Sequence, residues 1–375
     1  MAYMVTSQES RSSESGAEVR LGAAESMLLA RPKVTVIICT CNRADSLRAT
    51  LMSLKDVEIP ADLAAELLVV DNGSTDHTAV VVRNCGFGNM PVRYVHEPRR
   101  GKGFAYNSGM GAARGDILLF TDDDVRVPQT WMEAMCRPIA EGVVDVVAGH
   151  VRLAPSLERP WMTALHRACL AETGPFIDRR EIVGANMAFS RNVLMDVPAF
   201  DVELGPGALG LHDETLFCLQ LLKAGYRKTS VAAGGEVEHH PDQDRLRYDA
   251  FVNDAEKRGK SGAYVRHHWH HHRIACPRLR MLKAYATLVS VRLLSHWRWR
   301  YGEGIHPAEY GAIRAISFYR YLAHIRSMPR NYEREGLIKK NQHTGEIRQP
   351  QEGAPGAACW MQDRKFVTAQ QAGRP

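Results

Sequence analysis

Four short strand-like runs, Val34–Cys39, Leu67–Val70, Val92–Val95 and Ile117–Phe120, all but the third without a charged residue, alternate with stretches of helical character. Runs of this length rich in Val, Ile and Leu read as buried strands. Between them, Ala44–Lys55 places Leu47, Leu51 and Leu54 at helical spacing, and Thr75–Asn84 and Lys102–Arg114 suit two more helices. Strand–helix–strand alternation requires right-handed crossovers and so a mixed, mainly parallel sheet with helices on both faces. Further strands are expected at Val143–Ala148, Ala185–Ser190 and Tyr226–Ala233, with a helix over Thr215–Ala224 that Gly225 stops. The expected fold class is α/β.

The flanks differ from this body. Of the 375 residues, 1–32 are Ser- and Glu-rich without apolar periodicity and read as a flexible leader. They lack the basic start and apolar core of a secretory signal. Residues 33–256 form the expected α/β domain, 257–340 a basic helical extension, and 341–375 a Gln/Gly/Ala/Pro-rich loose tail. The longest run without Lys, Arg, Asp or Glu, Gly103–Ala113, is far short of the roughly 18 apolar residues of a spanning helix. Eight scattered cysteines without a C-x-x-C pair suggest neither a disulfide framework nor a zinc site, but buried thiols in a reducing cytoplasm.

The strands end in polar clusters, and open α/β sheets bind ligands at the carboxyl ends of their strands. Asp122-Asp123-Asp124 follows the fourth run, Asp71-Asn72-Gly73-Ser74 the second and Thr40-Cys41-Asn42-Arg43 the first. Three adjacent carboxylates repel one another unless a cation or hydrogen-bond donors neutralise them. Hard oxygen ligands suit Mg²⁺ or Mn²⁺ bridging to substrate phosphates, and the plain alternative is an exposed acidic turn. An aspartate-nucleophile phosphatase would want Thr or Val where Arg126 stands. In the second cluster, Thr75 or Asp76 is expected to cap the following helix.

Val34–Arg43, Leu68–Asp76, Gly101–Gly109 and Gly115–Asp124 resemble successive motifs of the family 2 glycosyltransferases of the GT-A, Rossmann-like nucleotide-diphospho-sugar transferase fold. The likeness continues through Gly184–Ala188, similar to the family's acceptor loop, and Leu204–Gly207, which leads to an acidic pair. It covers about residues 34–262, with 33–125 as the nucleotide-binding half and 126–256 as the acceptor and catalytic half. The resemblance implies that Asp124, with Asp122 and His239, holds the metal while Asp123 faces the ribose. Thr40, Asp71 and Asn72 would line the base and ribose pocket, with Asn42, Arg43 and Lys102 also on the donor. Asn72 stands where many members have Asp, and an amide can donate as well as accept. Gly184 and Asn186 would belong to the acceptor loop. Asp213-Glu214 inverts the usual Glu-Asp order, so Glu214 takes the position of the base and Asp213 the supporting one, with Asp213 as the alternative base.

The implied chemistry is metal-dependent, inverting transfer of a sugar from a nucleoside diphosphate sugar, a UDP-sugar favoured, to an acceptor hydroxyl in polysaccharide, glycolipid or other glycoconjugate synthesis. A metal on the diphosphate removes the need for an acid, leaving one base to deprotonate the acceptor. A nucleotidyltransferase would instead want a Gly-rich, Arg-bearing loop after the first strand. A third reading is a non-catalytic membrane- or nucleic-acid-binding protein on the same scaffold. The net charge of +6 is unevenly spread: 257–340 holds 18 Lys and Arg against four Asp and Glu, and the remainder is acidic. That asymmetry disfavours nucleic acid at the cleft and suggests peripheral contact with an anionic membrane on its cytoplasmic face. Trp297, Trp299 and Tyr301 among Arg298 and Arg300 add an interfacial pattern, whereas His267–His272 reads as a partly exposed, pH-sensitive helix.

Overall fold

The computed structural model describes residues 33–88, 90–173, 181–298 and 304–327. The expected leader, the tail and the last part of the basic extension lie outside the described residues. A seven-stranded sheet has the order β3-β2-β1-β4-β8-β6-β9. Its members are β1 (Lys33–Thr40), β2 (Ala64–Asp71), β3 (Val92–His96), β4 (Ile117–Asp122), β6 (Val146–Gly149), β8 (Asn186–Ser190) and β9 (Lys228–Val231). Strands β1 to β4 are parallel, and β8 runs antiparallel to both β4 and β6. The sheet is thus mixed and mainly parallel.

Helices cover both faces because the strands are apolar on both. Val36, Ile38, Leu67 and Val69 pack with α1 (Ala44–Lys55), α2 (Thr78–Asn84) and α4 (Trp131–Ala140). Ile37, Leu68, Val70 and Phe120 pack on the other side with α3 (Lys102–Ala112) and α6 (Asp213–Lys223). This is the double-sided burial that near-continuous apolar strands predict. The second helix starts at Thr78 rather than Thr75, because Asp76 forms a turn. Its Oδ1 accepts from the Thr78 N–H and its Oδ2 from the Ala44 N–H at the start of α1.

A second, three-stranded sheet, order β5-β10-β7, was not expected from the sequence. It joins β5 (Val125–Arg126), β7 (Val151–Leu153) and β10 (Val237–His239). Register sets His239 opposite both Val125 and Leu153, which carries the histidine to the aspartate turn. After the short α5 (Ala164–Cys169), three helices complete the molecule: α7 (Tyr248–Tyr264), α8 (Pro277–Arg298) and α9 (Pro307–Ile325). Helix α7 runs straight through residue 256, where the sequence suggests the start of the basic extension. It meets α9 at Gly259, where a Cβ would stand 2.5 Å from the Arg314 carbonyl. The expected buried thiols hold for Cys85, Cys136, Cys169 and Cys218, whereas Cys41 and Cys276 are exposed. No described helix is long and apolar enough to cross a membrane.

Candidate active site

The carboxyl ends of β1, β2 and β4 open on a cavity of about 810 Å³, within the range of small-molecule sites. It is lined by Thr40, Asn42, Arg43, Asn72, Lys102, Asp122, Asp123, Asp124, Gly184, Glu214 and His239. Of the residues singled out in the sequence, Asp71, Asn186 and Asp213 are not in that lining.

Two centres divide the floor. At the first, Asp123 and Asp124 form the turn after β4, and Arg43 spans them. Its Nη1 stands 3.1 Å from Asp123 Oδ1 and its Nη2 2.9 Å from Asp124 Oδ2. Thr40 Oγ1 donates to Asp123 Oδ2 at 2.7 Å. Burial pushes the Asp123 carboxyl up to about 7; Arg43 opposes this and neighbouring Asp124 adds to it. Burial also acts on Asp124, but His239 and Arg43 outweigh it and hold that carboxyl below the ordinary range.

His239 Nε2 lies 3.2 Å from Asp124 Oδ2 while its Nδ1 is 2.7 Å from the Leu170 carbonyl. Both ring nitrogens therefore face acceptors. With Nδ1–H donated to the carbonyl, the Nε2 lone pair points at a carboxylate, which demands either a second proton or a cation between them. Asp124 Oδ1 is buried with no hydrogen-bond partner. An imidazole and a carboxylate with one orphaned oxygen on one spot fit a hard divalent ion that takes its other ligands from phosphate and water. Among the described residues no three Asp, Glu, His or Cys side chains gather at one point. Asp122, expected as a further ligand, does not join the pair: its Oδ1 is ion-paired with Lys102 Nζ at 3.0 Å.

That lysine begins the second centre. Lys102 Nζ also stands 3.4 Å from Glu214 Oε1, and Tyr106 O–H donates to the same oxygen at 3.3 Å. Lys102 and Tyr106 are one turn apart on α3, while Glu214 comes from the first turn of α6. Burial favours the protonated form of Glu214, but Lys102 holds its pKa below the usual carboxylate range. Asp213 behaves oppositely. Fully buried, with neither oxygen hydrogen-bonded, it is pushed well above that range by burial and by the Glu214 charge. Burial thus favours the protonated form at Asp213, while Lys102 favours the carboxylate at Glu214, the member of the pair that lines the cavity.

Gly184 explains how tightly this centre is packed. A Cβ there would fall inside 3.0 Å of both the Tyr106 hydroxyl and Glu214 Oε1, and 3.1 Å from Lys102 Nζ. Its neighbour Asn186 has another task. Its Nδ2 donates to the His150 and Gly235 carbonyls, and its Oδ1 accepts from Trp131 Nε1. The amide thus ties β8 to the segments that lead into β7 and β10 and to Trp131 of α4. Asp71 is similarly occupied, accepting from Tyr94 O–H and the Ser74 N–H. Asn72 lines the cavity but spends its amide on the backbone of Glu97, Arg99 and Gly101, fixing the loop into α3. Asn42, at φ 54°, accepts from the Thr75 N–H.

Several lining residues had no motif to announce them. Arg245 and Arg258 bring cations to the walls, and His212 adjoins the acidic pair. His212 caps α6 with left-handed backbone, φ 74°, a conformation costly for a non-glycine residue. Its ring is 2.8 Å from Ser261 Oγ of α7, and burial together with the Arg258 and Arg314 charges pushes its pKa down to about 4. The i,i+4 spacing of Lys102 and Tyr106 was the one visible signal for the tyrosine.

Residues 35–197 match the model of Glycosyl transferase family 2. Glycosyltransferase AglE of Haloferax volcanii is 33% identical over 122 residues, 32% of this chain and 40% of that protein. An uncharacterized glycosyltransferase of Mycobacterium tuberculosis is 34% identical over 134 residues, 36% of this chain and 56% of that one. The chain thus spans about half the length of these curated relatives or less. Mannosyltransferase PcManGT from Pyrobaculum calidifontis, solved with GDP-Man and Mn²⁺, gives a TM-score of 0.46 at 17% identity, covering 96% of this chain and 92% of that one. Residues 35–197, which hold β1 to β4 and β8, are thus similar to the family 2 glycosyltransferases.

Proposed function

We propose that the protein is a metal-dependent, inverting glycosyltransferase that moves a sugar from a nucleoside diphosphate sugar, a UDP-sugar favoured, to an acceptor hydroxyl in glycoconjugate synthesis. The observation that carries this reading is one anionic carboxylate, Glu214, facing the cavity that also holds the Asp124–His239 pair. Mn²⁺ or Mg²⁺ held by Asp124 and His239 would neutralise the diphosphate. Thr40 and Arg43 fix the aspartate turn, and Asn72 sets the loop leading to α3.

Glu214 then accepts the acceptor's proton as that oxygen bonds to the anomeric carbon and the bond from carbon to the diphosphate oxygen breaks. A single base suffices because the leaving group departs as an anion, whereas a glycosidase needs two opposed carboxylates. Lys102, between Asp122 and Glu214, keeps the base ionised, and buried Asp213 supports it. The proposed setting is cytoplasmic and peripheral to an anionic membrane, for which the charge of 257–340 is the support.

The test is a panel of nucleotide sugars with Mn²⁺, read by nucleotide release and by donor-induced shifts in Tm. Glu214→Gln should retain the Tm shift and lose turnover, and Asp124→Asn should lose the metal-dependent shift. Full turnover by Glu214→Gln would remove this residue as the base.

A further inference from the structure

Helix α8 has two apolar faces where a helix packed on a globular body should have one. Ala284 is buried and Met281, Leu288 and Val291 are partly covered, Leu288 against the cluster that holds Phe251 of α7 and Tyr310 of α9. On the other side Leu279, Leu282, Val289 and Leu293 are 66%, 64%, 56% and 68% exposed. At ~100° per residue these four, with Ala286, fall within an arc of roughly 80° nearly opposite the packed side. The outer apolar stripe is therefore built, not a scatter of single exposed residues.

Cations flank the stripe. Lys283 and Arg280 follow one edge and Arg278 the other, where Arg292 is ion-paired with Glu309 of α9. The 22 residues of α8 include no Asp or Glu. At its N-terminal end a groove of about 280 Å³ opens between α8 and α9, lined by Arg278, Met281, Tyr319, Ala323 and Arg326. Two guanidinium groups over an apolar and aromatic floor match a phosphate carrying an acyl tail. A second copy of the chain would also cover leucines, but would bring Arg278, Arg280 and Lys283 against their own kind, which like-charge repulsion opposes.

We infer that α8 lies flat in the interface of a membrane containing anionic lipid. Leu279, Leu282, Val289 and Leu293 enter the acyl boundary, and Arg278 and Arg326 receive a lipid phosphate. This rests on the peripheral-membrane part of the reading above and adds the surface that makes the contact.

Co-sedimentation of the full chain with phosphatidylcholine vesicles, with and without phosphatidylglycerol, tests it. Binding should require phosphatidylglycerol and weaken as salt rises. Leu282→Glu combined with Leu293→Glu should weaken it at least about tenfold, since each burial of a leucine is worth that much. Both sites are exposed, so an unchanged Tm should accompany the loss. Arg278→Ala with Arg326→Ala should lower affinity for phosphatidylglycerol vesicles. Failure of the unaltered chain to bind overturns both the peripheral reading and this inference. Binding that survives the paired glutamates, or a dimer that they dissociate in the absence of vesicles, overturns the inference alone. None of these measurements depends on turnover.

Discussion

Gly184→Ala tests the assembly of the base more sharply than removal of the base itself. The single methyl group would enter the space where Gly184 meets Tyr106, Lys102 and Glu214. It would lie inside 3.0 Å of the Glu214 and Tyr106 oxygens, where ordinary contacts need 3.4 Å or more. Backbone strain plays no part, because the glycine is not in the left-handed region. Glu214 must therefore retreat, on the order of 1 Å. Misplacement of that size at a reacting group costs about 10²-fold in rate, equivalent to ~2.7 kcal/mol. Overpacking should also cost about 1–3 kcal/mol of stability. The assay is nucleotide release at saturating donor and acceptor, with donor affinity followed by Tm shift. The expected result is a fall in kcat of about 10²-fold with donor affinity held within about threefold. Adding Tyr106→Phe removes one of the two obstructing oxygens and should restore part of the rate. Gly111→Ala is the control: nothing lies within 4 Å of a Cβ there, and in a helix the change should be neutral or slightly stabilising. Unimpaired turnover by Gly184→Ala, or equal loss in the control, would refute the placement of Glu214.

Other perturbations probe different links. Lys102→Met removes the charge that keeps Glu214 ionised, so the acid limb of the kcat profile should move to higher pH, by about one unit or more; an unmoved limb would show another base. His212 has a folded pKa of about 4 against roughly 6.5 unfolded. The unfolded chain takes up the proton first, so stability should fall as pH drops from about 6.5 to 4, by up to about 3 kcal/mol. In His212→Asn, which tolerates the left-handed backbone, urea unfolding should show less of that fall. Asn186→Ala strands Trp131 Nε1 and two carbonyls, costing ~1–3 kcal/mol or more in chemical denaturation, while kcat at a permissive temperature stays within about threefold. A large loss of kcat with unchanged stability would return this residue to the acceptor site.

Much of this was legible in the chain. The parallel strands announced themselves through unbroken apolar runs, and their polar ends marked the cleft because the sheet delivers all of them to one edge. The small sheet was not legible, since strands of two and three residues carry no periodicity. Which of Asp213 and Glu214 faces the cavity depends on Lys102 and Tyr106, more than a hundred positions away, and adjacent carboxylates on one helix look alike in sequence. Asn186 and Asp71 show a related ambiguity: a polar residue at a strand end can face a ligand or tie down the chain, and here both are hydrogen-bonded to protein groups. Asp122 was drawn from the metal pair by a lysine that motif reading had assigned to the donor.

The passage of α7 through the expected domain boundary gives the molecule a handle and a jaw made of one piece. Ser261 on that helix holds the ring of His212, which starts the helix bearing Glu214, and two residues earlier Gly259 lets α9 seat directly on its backbone. Glu214 is thereby indexed to the C-terminal helices through a joint with no linker to swing. A chain cut at residue 256 would lose the serine as well as the handle, leaving the start of α6 without its outer anchor. On the proposed function, the direction from which an acceptor meets Glu214 would follow from how the three last helices are held.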